Sequence, residues 1–280
     1  MANELRFTVV VPTRDRPHSL ALCLAALERL EECGAFEIVV VDDGSSEADE
    51  VAVVVAESRL ARLVRTAPTG SASARNRGVR DARAPIVLLL DDDCEPRAGW
   101  AAALLATVED GADVAAGRSV NVGSSDAFGE ATQTVLDHIT LQSLRPGGAV
   151  GFAPTYNLAC TRDVLLEVPF DECYVNSGAD RDWCAQLTQR GYSIALASEA
   201  IVDHRQALDL GRFWRKHRAY GRGSARFHRK QGVGFESPGF YLGLVRAGFR
   251  KEARVGLAVC LAQLATAAGF ATEALSRRRD

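Results

Sequence analysis

Apolar and polar residues alternate in blocks along the first 120 positions of the chain. Continuous apolar runs, which predict strands covered on both faces, occur at 7–12, 38–41 and 86–90. Leucines recur at helical spacing between the first two runs, further helical patterns cover 51–58 and 73–82, and a short strand is expected at 62–65. Strands that alternate with helices predict a doubly wound, mostly parallel α/β sheet whose ligands bind at the carboxyl ends of its strands.

The second half of the chain has a looser pattern that becomes helical towards the C-terminus. We expect a helix at 126–143, a strand at 152–160, a helix at 179–191 and a strand at 192–197. Beyond residue 208 only helical patterns remain, at 208–230 and 240–274, separated by the glycines of 232–239. The pattern therefore predicts an α/β domain over 1–204 and a helical appendage over 205–280.

The uncharged stretch 255–272 raises the question of a membrane span. It is rich in alanine and contains Gln263 and two glycines, so its hydrophobicity is weak. One helical face of the stretch carries Leu257, Leu261 and Leu264. This composition favours a buried or interfacial helix over one that spans a bilayer.

The formal net charge of −3 hides a strong asymmetry along the 280 residues. Residues 204–280 contain 16 Lys and Arg against 5 Asp and Glu, so a basic C-terminal segment follows an acidic body. The seven cysteines are odd in number and form no C-x-x-C pair, which argues against a zinc knuckle or a disulfide framework and favours a reducing compartment. The N-terminus lacks the pattern of a signal peptide, so we expect a cytoplasmic protein.

Two clusters of acidic residues directly follow predicted strands. Asp91, Asp92 and Asp93 come after the third apolar run, and adjacent carboxylates repel one another unless a cation lies between them. Oxygen ligands of this kind favour Mg²⁺ or Mn²⁺, although a solvated turn that caps the next helix is the alternative. Asp42 and Asp43 end the second strand, where an acid either hydrogen-bonds a ribose or a base edge or caps a helix. The carboxyl ends of parallel strands open on one crevice, so the two clusters are expected to share it.

A run of small residues and arginines at 70–78 is a third candidate site. Its small residues permit close backbone approach, and Arg75 and Arg77 would offset phosphate charge. The run does not match the G-x-x-x-x-G-K-[ST] pattern, and no G-x-G-x-x-G follows the first strand. These absences argue against a P-loop NTPase and against a nicotinamide-dependent dehydrogenase.

A series of short motifs resembles those of the family-two inverting glycosyltransferases, which have the GT-A fold. In chain order they are VVPTRD at 10–15, VVDDGS at 40–45, ARNRG at 74–78, LLLDDD at 88–93, NLA at 157–159, SGADRD at 177–182 and VDH at 202–204. The resemblance covers about residues 7–230. It implies transfer of a sugar from a nucleotide-diphosphate sugar with inversion at the anomeric carbon, by a catalytic domain with a donor half at 1–118 and an acceptor half at 119–204.

Carried over position by position, the resemblance implies a role for each matched residue. The nucleotide-sugar donor would contact Pro12, Thr13, Arg14, Asp43, Arg75, Asn76, Asp91 and Asp92. Asp91 would reach the ribose or the metal, and Asp93 would bind Mg²⁺ or Mn²⁺ at the diphosphate. His204 would join the metal or diphosphate site, or else it is a structural histidine.

Asp180 falls on the catalytic base of the family's Glu-Asp motif. An inverting displacement needs one carboxylate to remove the proton of the attacking hydroxyl, and a helix N-terminus favours the charged form of that carboxylate. Asp182 is the rival base, and both acids would alternatively cap the helix. The usual Glu of the motif is Ala179 here, so its carboxylate is lost or supplied by Asp182. Asn157, Asp182 and Trp183 are assigned to acceptor contact or support.

The basic run 205–230 holds nine Lys and Arg against one Asp, with aromatic residues between them. Beside a diphosphate site, this run favours an anionic acceptor or an anionic membrane surface over nucleic acid. A solvated helix packed on the acidic body is the alternative. We predict a hydroxyl acceptor on a glycan, a lipid-linked sugar or a small metabolite, with peripheral contact at the inner face of the cell membrane through the C-terminal helices.

Two further readings compete with this prediction. The Q-x-x-R-W signature of processive synthases is absent, which favours the addition of a single sugar. Ala179 raises the alternative of a catalytically degenerate sugar-nucleotide-binding protein. A sugar-phosphate nucleotidylyltransferase is the other alternative, and the lack of glycine at 12–15 argues against it.

Overall fold

The computed structural model describes residues 4–30, 34–123, 126–175 and 177–276. The strands in these ranges are β1 (Phe7–Thr13), β2 (Phe36–Asp42), β3 (Ala61–Arg65), β4 (Ile86–Leu90), β5 (Cys94–Pro96), β6 (Val114–Asn121), β7 (Asn157–Thr161) and β8 (Ile194–His204). They form one sheet in the order β3-β2-β1-β4-β7-β6-β8-β5. β7 is antiparallel to β4 and β6, β5 is antiparallel to β8, and the remaining pairs are parallel, so the predicted mostly parallel sheet is confirmed.

Helices cover both faces of this sheet. The helices of the α/β part are α1 (Pro17–Leu27), α2 (Ala48–Glu57), α3 (Ser71–Asp81), α4 (Trp100–Glu109), α5 (Ala127–Gln142), α6 (Arg162–Glu167) and α7 (Ala179–Gln189). Val9 and Val11 point into a core with α1, α2 and α4, whereas Val10 points into a second core with α3, α6 and α7. Every residue of β1 and β2 is buried, as expected for continuous apolar runs.

The C-terminal helices share a third core with α5. They are α8 (Leu210–Gln231), α9 (Pro238–Lys251) and α10 (Ala253–Ser276), and their core includes Val135, Phe213 and Val259. The absence of strands beyond residue 208 is confirmed for the described part of this region. The boundary at residue 204 stays a prediction.

Three element predictions differ from the structure. The helix expected over 240–274 breaks at Glu252, which has an extended conformation (φ −159°), because α9 folds back onto α10 at Gly248. A Cβ on Gly248 would lie only 3.0 Å from the Cα of Gly256. β7 starts at Asn157 rather than at 152, and β8 continues to His204 because it pairs with β5, a strand too short for its pattern to be recognised.

Candidate active site

A cleft of about 2280 Å³ lies between the carboxyl ends of the parallel strands and α8. Most of the residues expected at the site line it, namely Pro12, Thr13, Arg14, Asp43, Arg75, Asp91, Asp92, Asp93, Asp180 and His204. Asn76, Asn157, Asp182 and Trp183 do not line it. The expectation that the two acidic clusters share one crevice therefore agrees with the geometry.

Asp43 organises the turn that precedes α3. Its carboxylate accepts hydrogen bonds from the backbone N–H of Thr69 (2.8 Å) and of Gly70 (2.9 Å). Gly70 has a φ of +103°, and a Cβ at this position would lie 2.7 Å from the carbonyl oxygen of Val175. The guanidinium of Arg14 lies 3.9 Å from the Asp43 carboxylate at the cleft wall. This end of the cleft is therefore a rigid corner with the positively charged side chain of Arg14 beside it.

The three adjacent aspartates after β4 are compensated by two arginines. Arg16 Nη1 donates to Asp92 Oδ1 and to Asp93 Oδ2, each at 3.0 Å, and Arg75 pairs with Asp91. Burial raises the pKa of Asp92 to about 7, although the charge of Arg16 opposes this shift. Arg16 was not among the residues that the sequence predicted at the site. Its position in the turn after β1, at the sheet edge where the aspartates also lie, is the feature that could have identified it.

His204 faces Asp93 across the pairing of β5 with β8. Its Nε2 lies 3.4 Å from Asp93 Oδ1, and its Nδ1 lies 3.3 Å from the amide nitrogen of Gln206. Burial opposes ionisation of Asp93, but the hydrogen bond and charge of His204 lower the pKa of that carboxyl. The ligand atoms of Asp93, Cys94 and His204 lie within 4.8 Å of one another.

The chemistry of these donors fits a hard or borderline divalent cation. A carboxylate oxygen and an imidazole nitrogen from Asp93 and His204 face the cleft, and both suit Mn²⁺ or Mg²⁺. Cys94 does not line the cleft, and burial raises the pKa of its thiol well above the usual range. Only the oxygen and nitrogen donors of this group of three residues therefore line the cleft, and the soft sulfur ligand does not.

Asp180 lies in the first turn of α7 and faces the same cleft. Its Oδ1 accepts a hydrogen bond from the backbone N–H of Arg181 at 2.8 Å. Burial raises the pKa of Asp180, whereas the positive charge of Arg75 lowers it. A partly buried carboxylate with a raised pKa at a helix N-terminus is suited to accept a proton.

Asp182, the rival base, has a different environment. It is fully buried and accepts hydrogen bonds from Lys230 Nζ (2.8 Å), Gln231 Nε2 (3.0 Å) and Gln186 Nε2 (2.9 Å). These contacts fasten α7 to the end of α8. In this arrangement Asp182 does not supply the carboxylate that is missing at Ala179.

The other three predicted residues that do not line the cleft hold its walls together. The amide of Asn76 donates to the carbonyl of Phe170 and accepts from its N–H, and Trp183 Nε1 donates to the carbonyl of Val168 at 2.7 Å. Asn157 accepts from Trp100 Nε1 at 2.7 Å and donates to the carbonyls of Arg118 and Ala200. Its amide fills the space above Gly117, where the β6–β8 register shifts.

Sequence reasoning also missed groups that α8 and the 155–156 segment bring into the cleft. Lys216 Nζ donates to Gln206 Oε1 at 2.7 Å, and burial lowers the pKa of Lys216 while the charge of Asp93 raises it. Tyr156 packs on His204 with ring centroids 4.8 Å apart. Lys216 is one of only three lysines in a chain with 30 arginines, and this rarity could have identified it as a candidate functional residue.

The family model "Glycosyl transferase family 2" matches residues 8–168. The chain is 29 % identical over 235 residues to glycosyltransferase AglE of Haloferax volcanii, which covers 80 % of this chain and 74 % of that protein. It is 30 % identical over 227 residues to the pre-mycofactocin glycosyltransferase of Mycobacterium tuberculosis, covering 78 % of this chain but only 46 % of that relative's length.

Two solved structures have a similar fold. The mannosyltransferase PcManGT from Pyrobaculum calidifontis, in complex with GDP-Man and Mn²⁺, superposes with a TM-score of 0.63 at 19 % identity, over 99 % of this chain and 79 % of that one. A mycobacterial protein superposes with a TM-score of 0.59 at 18 % identity, over 83 % of this chain and 76 % of that one. At these identities the likeness concerns the fold.

Proposed function

The chain belongs to glycosyl transferase family 2, and on that premise we propose that it transfers a single sugar from a nucleotide-diphosphate sugar to an acceptor hydroxyl, with inversion and with a divalent cation. One observation carries the proposal: the cleft contains both the Asp93–His204 pair and the partly buried carboxylate of Asp180. The first arrangement suits a diphosphate held through a cation, and the second suits removal of a proton.

The donor would lie along the carboxyl ends of β1, β2 and β4. Pro12, Thr13, Arg14 and Asp43 form the corner proposed for the nucleoside, and the similar structure of PcManGT holds GDP-Man and Mn²⁺. Asp93 and His204 would hold Mn²⁺ or Mg²⁺, which stabilises the charge that develops on the leaving diphosphate. Arg16 and Lys216 supply further positive charge beside these residues.

Asp180 would act as the base at the acceptor end of the cleft. As the acceptor oxygen forms its bond to the anomeric carbon, its proton passes to a carboxylate oxygen of Asp180. The bond from the anomeric carbon to the diphosphate oxygen breaks, and the nucleotide diphosphate leaves with the electron pair. Attack on the face opposite the leaving group inverts the anomeric configuration, and the burial that raises the pKa of Asp180 strengthens it as a base.

Release of nucleotide diphosphate from a panel of nucleotide-diphosphate sugars, with Mn²⁺ or with EDTA, tests the proposal. We expect release with at least one donor, loss of release in EDTA, and loss in Asp93→Ala. Asp110→Ala is the matched control, because Asp110 is exposed at the end of α4. The anomeric configuration of the product, read by NMR, should be opposite to that of the donor. Metal-independent release or a retained configuration would contradict the proposal.

A second candidate, donor binding without transfer, rests on Ala179. No carboxylate stands at this position, and Asp182 is engaged by Lys230 rather than exposed in the cleft. Calorimetry separates the two candidates. Tight donor binding that Asp180→Asn leaves unchanged, together with no turnover in the wild type, would favour binding alone.

A further inference from the structure

Helix α10 buries mostly small residues and exposes three of its four leucines, whereas Leu261 packs partly buried against the third core. Its buried residues are Val255, Gly256, Ala258, Val259, Ala262, Ala265, Gly269 and Glu273. Leu257 and Leu264 are each 64 % exposed. A helix that belonged only to a soluble core would place its large apolar residues inside. Leu257 and Leu264 lie seven positions apart and so share one helix face, and exposed apolar residues that share a face are typical of an interaction surface.

Close contact with α8 fixes this orientation. A Cβ on Gly221 would lie 1.9 Å from the carbonyl oxygen of Thr266, and a Cβ on Gly269 would lie 2.0 Å from that of Arg218. Leucine side chains cannot enter such a contact. The buried carboxylate of Glu273 also pairs with arginines of α8 at 2.8 and 3.1 Å. By length and composition α10 could cross a membrane, but a spanning position would break these contacts.

The apolar surface continues from α10 onto α9. A Cβ on Gly256 would lie 2.4 Å from the ring of Phe249, so Phe249 covers this glycine beside Leu257 and is itself 46 % exposed. Within the ranges that the structure describes, no ion pair or hydrogen bond involves the side chains of Arg246 and Arg250, which lie on α9. We define the α9–α10 face by its apolar and basic side chains: Phe249, Leu257, Leu264, Arg246, Arg250 and Arg254.

The α9–α10 face meets the mouth of the cleft. Leu264 lines both the face and the cleft that contains Asp180. Phe235 and Phe270 also line the cleft, and their rings pack at a tilt of 48° with centroids 5.0 Å apart. The guanidinium of Arg181, next to Asp180 in the chain, lies 4.5 Å above the ring of Phe227. Asp180, these aromatic rings and the exposed Leu264 therefore line one cleft.

We propose that the α9–α10 face docks on the surface of an anionic bilayer and that the acceptor is a sugar or hydroxyl compound linked to a lipid in that bilayer. Exposed leucines and a phenylalanine would enter the boundary between headgroups and acyl chains, and Arg246 and Arg250 would contact anionic headgroups, whereas Arg254 already pairs with Glu252. A second copy of the chain fits this face less well, because a symmetric contact would bring the arginines together. The acceptor class rests on the proposed function, whereas the docking does not.

Vesicle flotation tests the docking without any need for activity. The probes are vesicles of phosphatidylcholine alone and vesicles with about one third phosphatidylglycerol. We expect the wild type to float with the anionic vesicles only, and Leu257→Glu to lower the bound fraction at least tenfold. Val53→Glu is the matched control, since Val53 is 61 % exposed on α2, far from this face. Arg246→Gln with Arg250→Gln should weaken binding to a similar extent while leaving every apolar contact in place.

Transfer to lipid tests the acceptor class. With a labelled donor and a polar lipid extract, label should enter the organic phase, and Leu257→Glu should lower this transfer at least tenfold while nucleotide diphosphate release in water is unchanged. Absence of flotation, equal flotation with neutral vesicles, or wild-type flotation by Leu257→Glu would overturn the docking. A dimer in light scattering that Leu257→Glu dissociates would assign the face to a second copy instead. Donor turnover with label only in the aqueous phase would overturn the lipid acceptor but not the proposed function.

Discussion

His204 Nε2 lies 3.4 Å from Asp93 Oδ1, and the two residues, which are 111 positions apart in the chain, are brought together by the β5–β8 pairing. If this pair holds the cation, His204→Ala should raise the Mn²⁺ concentration for half-maximal activity by about 10- to 100-fold. His18→Ala is the control, because His18 is exposed on α1. An unchanged Mn²⁺ titration would make His204 a structural residue.

Mutation of Asp180 should lower turnover, whereas mutation of Asp182 should lower stability. Asp180→Asn should lower kcat by about 10²- to 10⁴-fold with little change in stability, because it removes the proton acceptor and keeps the shape. Asp182→Asn should lower the free energy of unfolding by about 1–3 kcal/mol, because it weakens the buried hydrogen bond from Lys230. Turnover and chemical denaturation measured on both variants check this. Loss of turnover in Asp182→Asn at full stability would reverse the assignment.

The pH profile of turnover should report the environment of Asp180. Only the ionised carboxylate accepts a proton, so turnover should fall as the pH falls through the pKa of Asp180, which burial raises above its ordinary value. The charge of Arg75 lowers this pKa, and Arg75→Gln should therefore move the acidic limb to higher pH. Arg77→Gln, on the exposed side of α3 and paired with Asp81, should leave the limb in place. If the acidic limb of the pH profile does not move in Arg75→Gln, the charge of Arg75 does not influence the pKa of the catalytic base.

Asp92 should make the metal-free protein less stable as the pH rises. Its pKa is raised by burial from 3.8 to about 7, so the folded chain retains a proton that the unfolded chain has lost between these pH values. The stabilisation is present below about pH 4 and is lost as the pH approaches 7, a difference of up to about 4 kcal/mol at ~1.4 kcal/mol per pKa unit. Asp92→Asn should flatten this slope in denaturation experiments with EDTA. An equal slope in the variant would assign the pH dependence to other groups.

The sequence by itself determined the α/β core and most of the cleft. Continuous apolar runs can be satisfied only when both faces are covered, and parallel strands then present their carboxyl ends on one edge. For this reason Asp43 and the aspartates at 91–93 were expected together, and they do line one cleft. The family motifs added Asp180 and His204, which no local pattern would have placed in the same cleft.

Tertiary structure alone decided which polar side chains face the cleft. Asp180 and Asp182 lie two positions apart on one helix and therefore point to opposite sides of it, and tertiary contacts decide which side meets the cleft: Lys230 and Gln231 of α8 approach Asp182. Arg16 reached the aspartates because β1 and β4 are neighbours in the sheet. Contacts of this kind join residues that are distant in the chain, so the periodicity of apolar residues along the sequence cannot predict them.

Helix α10 shows the same difference between what the sequence determines and what the tertiary structure decides. Its sequence is apolar on every side, so pattern alone predicted a buried or interfacial helix and could not identify the buried face. The glycines of α8 and α10 decided it, because two helices can approach this closely only where no side chain intervenes. That contact turned Leu257 and Leu264 outward, and sequence periodicity cannot show which of two apolar faces will find such a partner.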